Sequence, residues 1–137
     1  MRIYLDSAPL TYLVEEVVPY ASTLESRLAE PGVIQVCSEL TRLECRVKPI
    51  RDSEDALLSA FDSYFSEIVG RVIPLSRQVM EQATLLRARY GFRTPDSIHL
   101  AAAIVDDCDL FLTNDRDLFL TNDRRLARCS EIPVEAL

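Results

Sequence analysis

The chain has 137 residues, which is the length of one domain and enough to bury roughly two-thirds of its unfolded surface. Its 48% hydrophobic and 27% charged residues, with only three glycines, argue against a disordered protein. No segment approaches the ~18 apolar residues of a membrane span, and the N-terminus lacks the pattern of a signal peptide, so we expect a cytoplasmic protein. The formal net charge of -7 argues against binding nucleic acid by net attraction, although not through bound cations.

Short apolar runs alternate with amphipathic helices along the chain. Strands are predicted at residues 2–5, 33–37, 72–75 and 110–113, with a weak edge strand at 132–134. Helices are predicted from residue 8 with Ser7 as cap, over 22–29, from 38 to a stop before Pro49, from 52 or 53 onward, between Ser76 and Gly91, and over 96–105. This alternation implies right-handed βαβ crossovers. We therefore predict a single domain over residues 1–137, a three-layer α/β/α sandwich around a parallel sheet of four to five strands.

An octapeptide, DLFLTNDR, occurs twice in tandem, at residues 109–116 and 117–124. Because side chains alternate along a strand with a period of two, a shift of eight residues keeps the same faces inward, and either copy could form the fourth strand. The first copy follows the preceding helix by the shorter connection, which is the favoured arrangement. The acid that ends this strand is therefore predicted to be Asp115, with Asp123 as the alternative.

Four carboxylates, Asp6, Glu44, Asp96 and Asp115, lie where predicted strands or helices meet loops. The carboxyl ends of parallel strands share one edge of a sheet, and ligands bind there. Two charges about 5 Å apart repel by roughly 3 kcal/mol at an effective dielectric constant of about 20, so four acids need a cation, protonation or arginines. Mg²⁺ and Mn²⁺ take oxygen ligands, and either would activate water against a phosphodiester. Each acid alone could instead cap a helix, complement its dipole or face solvent.

Other polar residues are candidates for supporting roles around these acids. Three could donate hydrogen bonds to the carboxylates or to a bound water: Ser7, Thr113 and Asn114. Three arginines could contact phosphate: Arg93, Arg116 and Arg124. We interpret His99, three residues after Asp96, as a core or rim histidine rather than a catalytic one. The four cysteines lack metal-ligand spacing and are expected to be reduced structural thiols.

Four segments together resemble the motifs of PIN-domain nucleases, and most closely those of VapC-type toxins from bacterial toxin–antitoxin pairs. They are residues 1–7, 38–44, 94–101 and 112–116. The resemblance covers nearly the whole chain and implies a Mg²⁺- or Mn²⁺-dependent endoribonuclease that cleaves RNA, often tRNA or rRNA, by metal-activated water. It implies that the catalytic residues are Asp6, Glu44, Asp96 and Asp115, of which the aspartates bind the metal. It also implies a homodimer and an antitoxin that covers or enters the acidic groove.

Two alternatives follow from departures in the same sequence. The duplicated octapeptide lies beside the fourth acid, so a catalytically silent PIN-like module that binds RNA or a partner is the first alternative. A phosphoryl-transfer enzyme with Asp6 as nucleophile is the second. It is disfavoured because Ala8 stands where a haloacid-dehalogenase-like site has a second aspartate. The sole lysine, Lys48, also does not suit a receiver domain.

Overall fold

A computed structural model of the chain describes residues 1–114 and 131–137. Within them, five strands form one sheet in the order β3-β2-β1-β4-β5, and every strand pair is parallel. The strands are β1 (Arg2–Leu5), β2 (Ile34–Ser38), β3 (Arg71–Ile73), β4 (Leu110–Thr113) and β5 (Val134–Ala136). The predicted fold class is confirmed. The weak edge strand predicted at 132–134 is β5, which starts two residues later and lies at one edge of the sheet, and β3 is the other edge.

Helices connect the strands and cover both faces of the sheet. They are α1 (Ser7–Glu15), α2 (Tyr20–Leu28), α3 (Glu39–Arg51), α4 (Asp55–Glu67), α5 (Arg77–Tyr90) and α6 (Thr94–Val105). One apolar cluster lies under α5 and α6, and the other lies under α1, α2 and α4. None of the helices in the described ranges is long and apolar enough to cross a membrane.

The central strand β1 shows why both faces of the sheet are covered. Ile3 and Leu5 point into the cluster under α1, α2 and α4, whereas Tyr4 points into the opposite one, as the period of two requires. All three side chains are fully buried. The Tyr4 ring stacks on Phe111 of β4 with centroids 5.1 Å apart. This strand is therefore the rigid centre of the fold, and the residue that follows it is held in place.

Parallel pairing fixes which loops meet at the carboxyl edge of the sheet. In the register of β1 against β4, Leu5 lies opposite Leu112, and the backbone N–H of Asp6 donates to the carbonyl of Leu112 at 3.0 Å. Asp6 therefore stands beside the end of β4, with Thr113 as its neighbour. On the other side β1 pairs with β2, whose last residue, Ser38, opens α3.

The predicted helix limits at Ser76 and Gly91 are confirmed, but the cap of α1 was assigned wrongly. Ser76 accepts a hydrogen bond from the backbone of Val79, and Gly91 ends α5 with a positive φ of 74°. The first helix begins at Ser7, and its cap is Asp6, whose carboxylate accepts from the Ser7 backbone N–H. Asp6, one residue earlier than predicted, is the cap. The same side chain therefore both caps α1 and lies at the edge of the sheet.

Two further helix limits also differ from the prediction. The third helix does not stop before Pro49 but continues to Arg51, because a proline near the last turn costs one hydrogen bond and its ring is buried here. The fourth helix begins at Asp55 rather than at 52 or 53, because Ser53 adopts a left-handed φ of 53° that a helix cannot contain. Neither difference moves an acid away from the edge of the sheet.

Helix α3 keeps part of its apolar surface in solvent. Leu43 and Val47, four residues apart on the helix, are 58% and 50% exposed, and Ile50 is 56% exposed. Leu75, after β3, adjoins them. An exposed apolar cluster of this kind is typical of a contact surface for another protein.

The cysteines provide a test of the packing. Cys37 and Cys45 are free thiols that are buried, and burial raises the pKa of each to about 12. At pH 8 their thiolate fraction would be about 0.0001, against about a quarter for an ordinary cysteine. We expect iodoacetamide to modify both at least a hundredfold more slowly in the folded protein than in urea, as measured by peptide mass spectrometry. Equal rates in the two states would contradict the packing.

Candidate metal centre

A pocket of about 440 Å³ opens at the carboxyl edge of the sheet. Residues at the ends of β1 and β4, in the helices α1, α3 and α6, and just before α6 line it: Asp6, Ser7, Ala8, Glu44, Arg93, Pro95, Asp96, His99 and Asn114. Three of the four predicted acids thus share one cavity. The fourth, Asp115, lies outside the described residues, as do its alternative Asp123 and the arginines Arg116 and Arg124.

Asp6 is held by donors from two elements of the fold. Its side chain is buried, with one oxygen accepting from the Ser7 backbone N–H at 2.8 Å and the other from the Thr113 hydroxyl at 2.7 Å. These two donors come from α1 and β4, so the carboxylate is fixed from both sides. An anion held by neutral donors in this way remains available to a cation on its open side.

Glu44 reaches the pocket from α3. This helix starts with a capping box, in which the side chains of Ser38 and Thr41 satisfy each other's backbone N–H groups. The Glu44 side chain is 31% exposed, and its Oε1 accepts from the Ser7 hydroxyl at 3.2 Å. It is therefore the acid of the three with the most room to move.

Asp96 lies in the first turn of α6, where the helix dipole favours a negative charge. Its side chain is only 6% exposed, and the Nε of Arg93 donates to its Oδ2 at 3.2 Å. Arg93 itself is 61% exposed and lies at the rim of the pocket. The arginine predicted to contact phosphate thus already compensates one of the acids.

His99 lies between the acids; from the sequence it was interpreted as a core or rim histidine, and it is buried as that interpretation expects. It is buried on α6, with Nε2 at 2.5 Å from Oε1 of Glu44 and 3.3 Å from Oδ1 of Asp6. Burial by itself lowers the pKa of His99, but the negative charges of Asp6 and Glu44 outweigh it and raise the pKa above 6.5. Its spacing of three residues from Asp96, already noted in the sequence, puts both on one face of the helix, but its contacts with Asp6 and Glu44 have no local sequence signal.

Three of these side chains form a group that could hold a metal ion. Asp6, Glu44 and His99 each offer one ligand atom, and these atoms lie within 4.8 Å of one another. Two carboxylates and an imidazole are a suitable donor set for a divalent cation. Of the predicted supporting residues, Ser7 and Thr113 donate to the acids, whereas the Asn114 amide donates to the Tyr12 hydroxyl at 2.9 Å.

The sequence family agrees with this geometry. The model of the PIN domain family matches residues 3–130. Since the match spans most of the chain, the protein belongs to the PIN domain family. Among curated protein sequences there is no significant match.

Solved structures with this fold include several toxin–antitoxin proteins. A structure of VapBC2 from Rickettsia felis, bound to a DNA fragment from its promoter, matches with a TM-score of 0.76 at 15% identity, covering 100% of this chain and 99% of that one. DNA-bound VapBC from Salmonella typhimurium gives 0.73 at 13% identity, covering 99% and 98%. VapC20 of Mycobacterium tuberculosis, described as a toxin that cleaves the sarcin–ricin loop, gives 0.63 at 18% identity, covering 80% and 86%. At these identities the likeness concerns the fold.

Metal binding should stabilise the folded protein, because a cation relieves the repulsion between the acids. At a Mg²⁺ or Mn²⁺ concentration about 100 times the Kd, the gain is about 2.7 kcal/mol, which corresponds to a rise in Tm on the order of 10 °C. Differential scanning fluorimetry with and without EDTA measures it. Asp107→Asn, an exposed acid outside the pocket, should keep the full shift. No shift with either ion in the unaltered protein would contradict a metal centre.

Proposed function

We propose that this PIN-domain protein, as one domain over residues 1–137, is a divalent-metal-dependent endoribonuclease and the toxin of a toxin–antitoxin pair. The observation that carries the proposal is the convergence of Asp6, Glu44 and Asp96 in one pocket at the carboxyl edge of the sheet. Family membership supports the same conclusion. The reaction is hydrolysis of an RNA phosphodiester bond by water, for which no covalent nucleophile is needed.

The burial of each residue suggests its proposed role. Asp6 and Asp96 are nearly inaccessible and rigidly held, so they are assigned to the metal, together with Asp115. Glu44 is partly exposed at the same pocket, and it is assigned to orient the attacking water. Mg²⁺ or Mn²⁺, when bound, supplies a water of lowered pKa and balances charge on the scissile phosphate. Ser7 and Thr113 keep the acids aligned.

The substrate must approach an acidic protein, and this affects how it is recognised. With a net charge of -7, the chain attracts RNA only through local positive groups. Arg93 is such a group, because its guanidinium lies at the rim of the pocket. We assign Arg93, with Arg116, to contact the phosphates that flank the cleaved bond. A tRNA or an rRNA is the substrate class, and action on it belongs in the cytoplasm.

The proposed protein partners are a cognate antitoxin and a second copy of the chain. Solved structures with this fold are described as complexes of a toxin with its antitoxin, as for Klebsiella pneumoniae at a TM-score of 0.61. The exposed apolar residues of α3, which include Leu43, Val47 and Ile50, offer a surface suitable for protein contact. The antitoxin is proposed to cover or enter the acidic pocket.

A catalytically silent module that binds RNA or a partner is the second candidate. The tandem octapeptide favours it, because its second copy begins at residue 117, two residues after the fourth acid. Cleavage assays separate the two functions, since a silent module would bind RNA without cutting it in the presence of either metal.

Asp6→Asn should abolish metal-dependent cleavage. The change removes the charge of Asp6 but keeps a good helix cap, so we expect cleavage to fall at least about a hundredfold while the fold survives. Rates on a panel of tRNA and rRNA fragments with Mg²⁺ or Mn²⁺ measure the effect. The matched variant Asp107→Asn should cleave at the original rate. Comparable rates for the two variants would contradict the assignment.

The two copies of the octapeptide give a second comparison at the same site. If the first copy forms the site, Asp115→Asn should reduce cleavage at least about tenfold more than Asp123→Asn, because only the acid in the pocket contributes to metal binding. Both variants carry the same substitution in the same eight-residue context, so each is the control for the other. The opposite order would assign the fourth acid to Asp123.

A further inference from the structure

We propose that His99 is a metal ligand through Nε2, that Tyr4 holds it in the tautomer that makes it one, and that the centre consequently prefers Mn²⁺ to Mg²⁺. This inference rests on the proposed metal-dependent function and specifies which ion serves it. The oxygen ligands alone would give no such preference, because carboxylates suit both ions.

The Tyr4 hydrogen bonds determine which nitrogen of His99 carries the proton on the Tyr4 side. The Tyr4 hydroxyl is buried, and it donates its one proton to the Ser38 hydroxyl at 2.8 Å. It also lies 2.7 Å from Nδ1 of His99. Since the phenol proton is directed to Ser38, Nδ1 must carry the proton of this second contact and donate it to the Tyr4 oxygen. Tyr4 therefore selects the tautomer with its hydrogen on Nδ1.

The other ring nitrogen of His99, Nε2, points toward the acids. In the neutral Nδ1–H tautomer, Nε2 has a lone pair. That lone pair faces the oxygens of two carboxylates, Glu44 at 2.5 Å and Asp6 at 3.3 Å. Three such atoms can share this space only with a positive particle among them. Without an ion this particle is the proton of the hydrogen bond between Nε2 and Glu44, and an ion that binds Nε2 displaces that proton to solvent. A divalent cation fits this role, and a hydrogen bond from the far nitrogen of a ligating histidine is the usual way of orienting it.

An ion needs room among Nε2 of His99 and the oxygens of Asp6 and Glu44. Metal–ligand distances of about 2.1 Å separate neighbouring ligand atoms by roughly 3 Å or more. The 3.3 Å between Nε2 and Asp6 already has this separation. The 2.5 Å between Nε2 and Glu44 is too short, so Glu44 must withdraw. Its partial exposure allows that movement, whereas Asp6 and His99 are buried and stay in place.

A nitrogen ligand changes which divalent ion the centre prefers. Imidazole nitrogen is a better ligand for first-row transition metals than for Mg²⁺, which demands oxygen ligands and retains its waters. Replacing one oxygen in the shell by Nε2 therefore favours Mn²⁺. We expect the Kd for Mn²⁺ to be at least tenfold lower than that for Mg²⁺.

The test uses the fact that His99 is the sole histidine of the chain. Untagged protein is prepared with ¹⁵N-labelled histidine, and pulsed electron paramagnetic resonance of bound Mn²⁺ then reports coupling to a single imidazole. We expect coupling to one nitrogen of His99. The dissociation constants for Mn²⁺ and Mg²⁺ are measured in parallel by calorimetry, without any nuclease assay.

Two variants separate ligation from packing. His99→Asn keeps an amide N–H near the position of Nδ1, and so the contact with Tyr4, but has no atom at Nε2. We expect the Kd for Mn²⁺ to rise at least tenfold and the Kd for Mg²⁺ to change less than threefold. Tyr4→Phe keeps the ring that stacks on Phe111 but removes the hydroxyl, and second-shell changes of this type weaken binding about 10- to 100-fold. For Tyr4→Phe we likewise expect weaker binding of Mn²⁺ but not of Mg²⁺.

The outcomes distinguish this inference from the function on which it rests. Mn²⁺ bound without nitrogen coupling, at an affinity equal to that for Mg²⁺, would overturn the role of His99 and leave a nuclease with oxygen ligands. Failure of the unaltered protein to bind either ion would overturn both. The resonance measurement needs no variant, so it remains decisive even if His99→Asn does not fold.

Discussion

The repulsion among buried acids is the constraint on which the rest of the site depends. Parallel pairing of β1 with β4 and β2 brings Asp6 and Glu44 to one edge of the sheet, and α6 adds Asp96. Each buried charge left uncompensated would cost several kcal/mol. The protein compensates them locally, with Arg93 on Asp96 and with His99 between the other two. Among the described residues, the three acids of the pocket therefore have an arginine and a histidine beside them before any ion arrives, although the whole chain is strongly acidic.

This compensation connects the core of the fold to the chemistry of its edge. Tyr4 belongs to the central strand and stacks on the neighbouring one, yet its hydroxyl also contacts the histidine that faces the acids. A side chain in the most rigid part of the sheet thus determines the orientation of a side chain in the pocket. Sites whose supporting residues are locked by packing hold their geometry with little reorganisation, which is what metal binding and hydrolysis require.

The ends of β1 and β4 were predicted correctly, because each is a short apolar run that stops at a polar residue. Asp6, Glu44 and Asp96 were also placed on the correct elements, Asp6 after a strand and the other two on helices. His99 was interpreted as a core or rim histidine, and it is buried as expected, but its two acidic neighbours come from distant parts of the chain, and no local pattern reports such contacts. Pro49 is a similar case: burial of its ring, which the sequence does not reveal, lets α3 continue past it.

Charge compensation and the proposed catalysis compete for one place in the pocket. The histidine nitrogen and the glutamate oxygen now contact each other, and an ion can enter only where that contact is released. Glu44 is the member that can yield, because it is the one partly in solvent. The acid that leaves the histidine then faces the open pocket, where water and a phosphodiester would lie. Under the proposed function, entry of the ion and release of Glu44 toward the substrate would therefore be one event, and the metal-free protein would keep Glu44 in contact with His99.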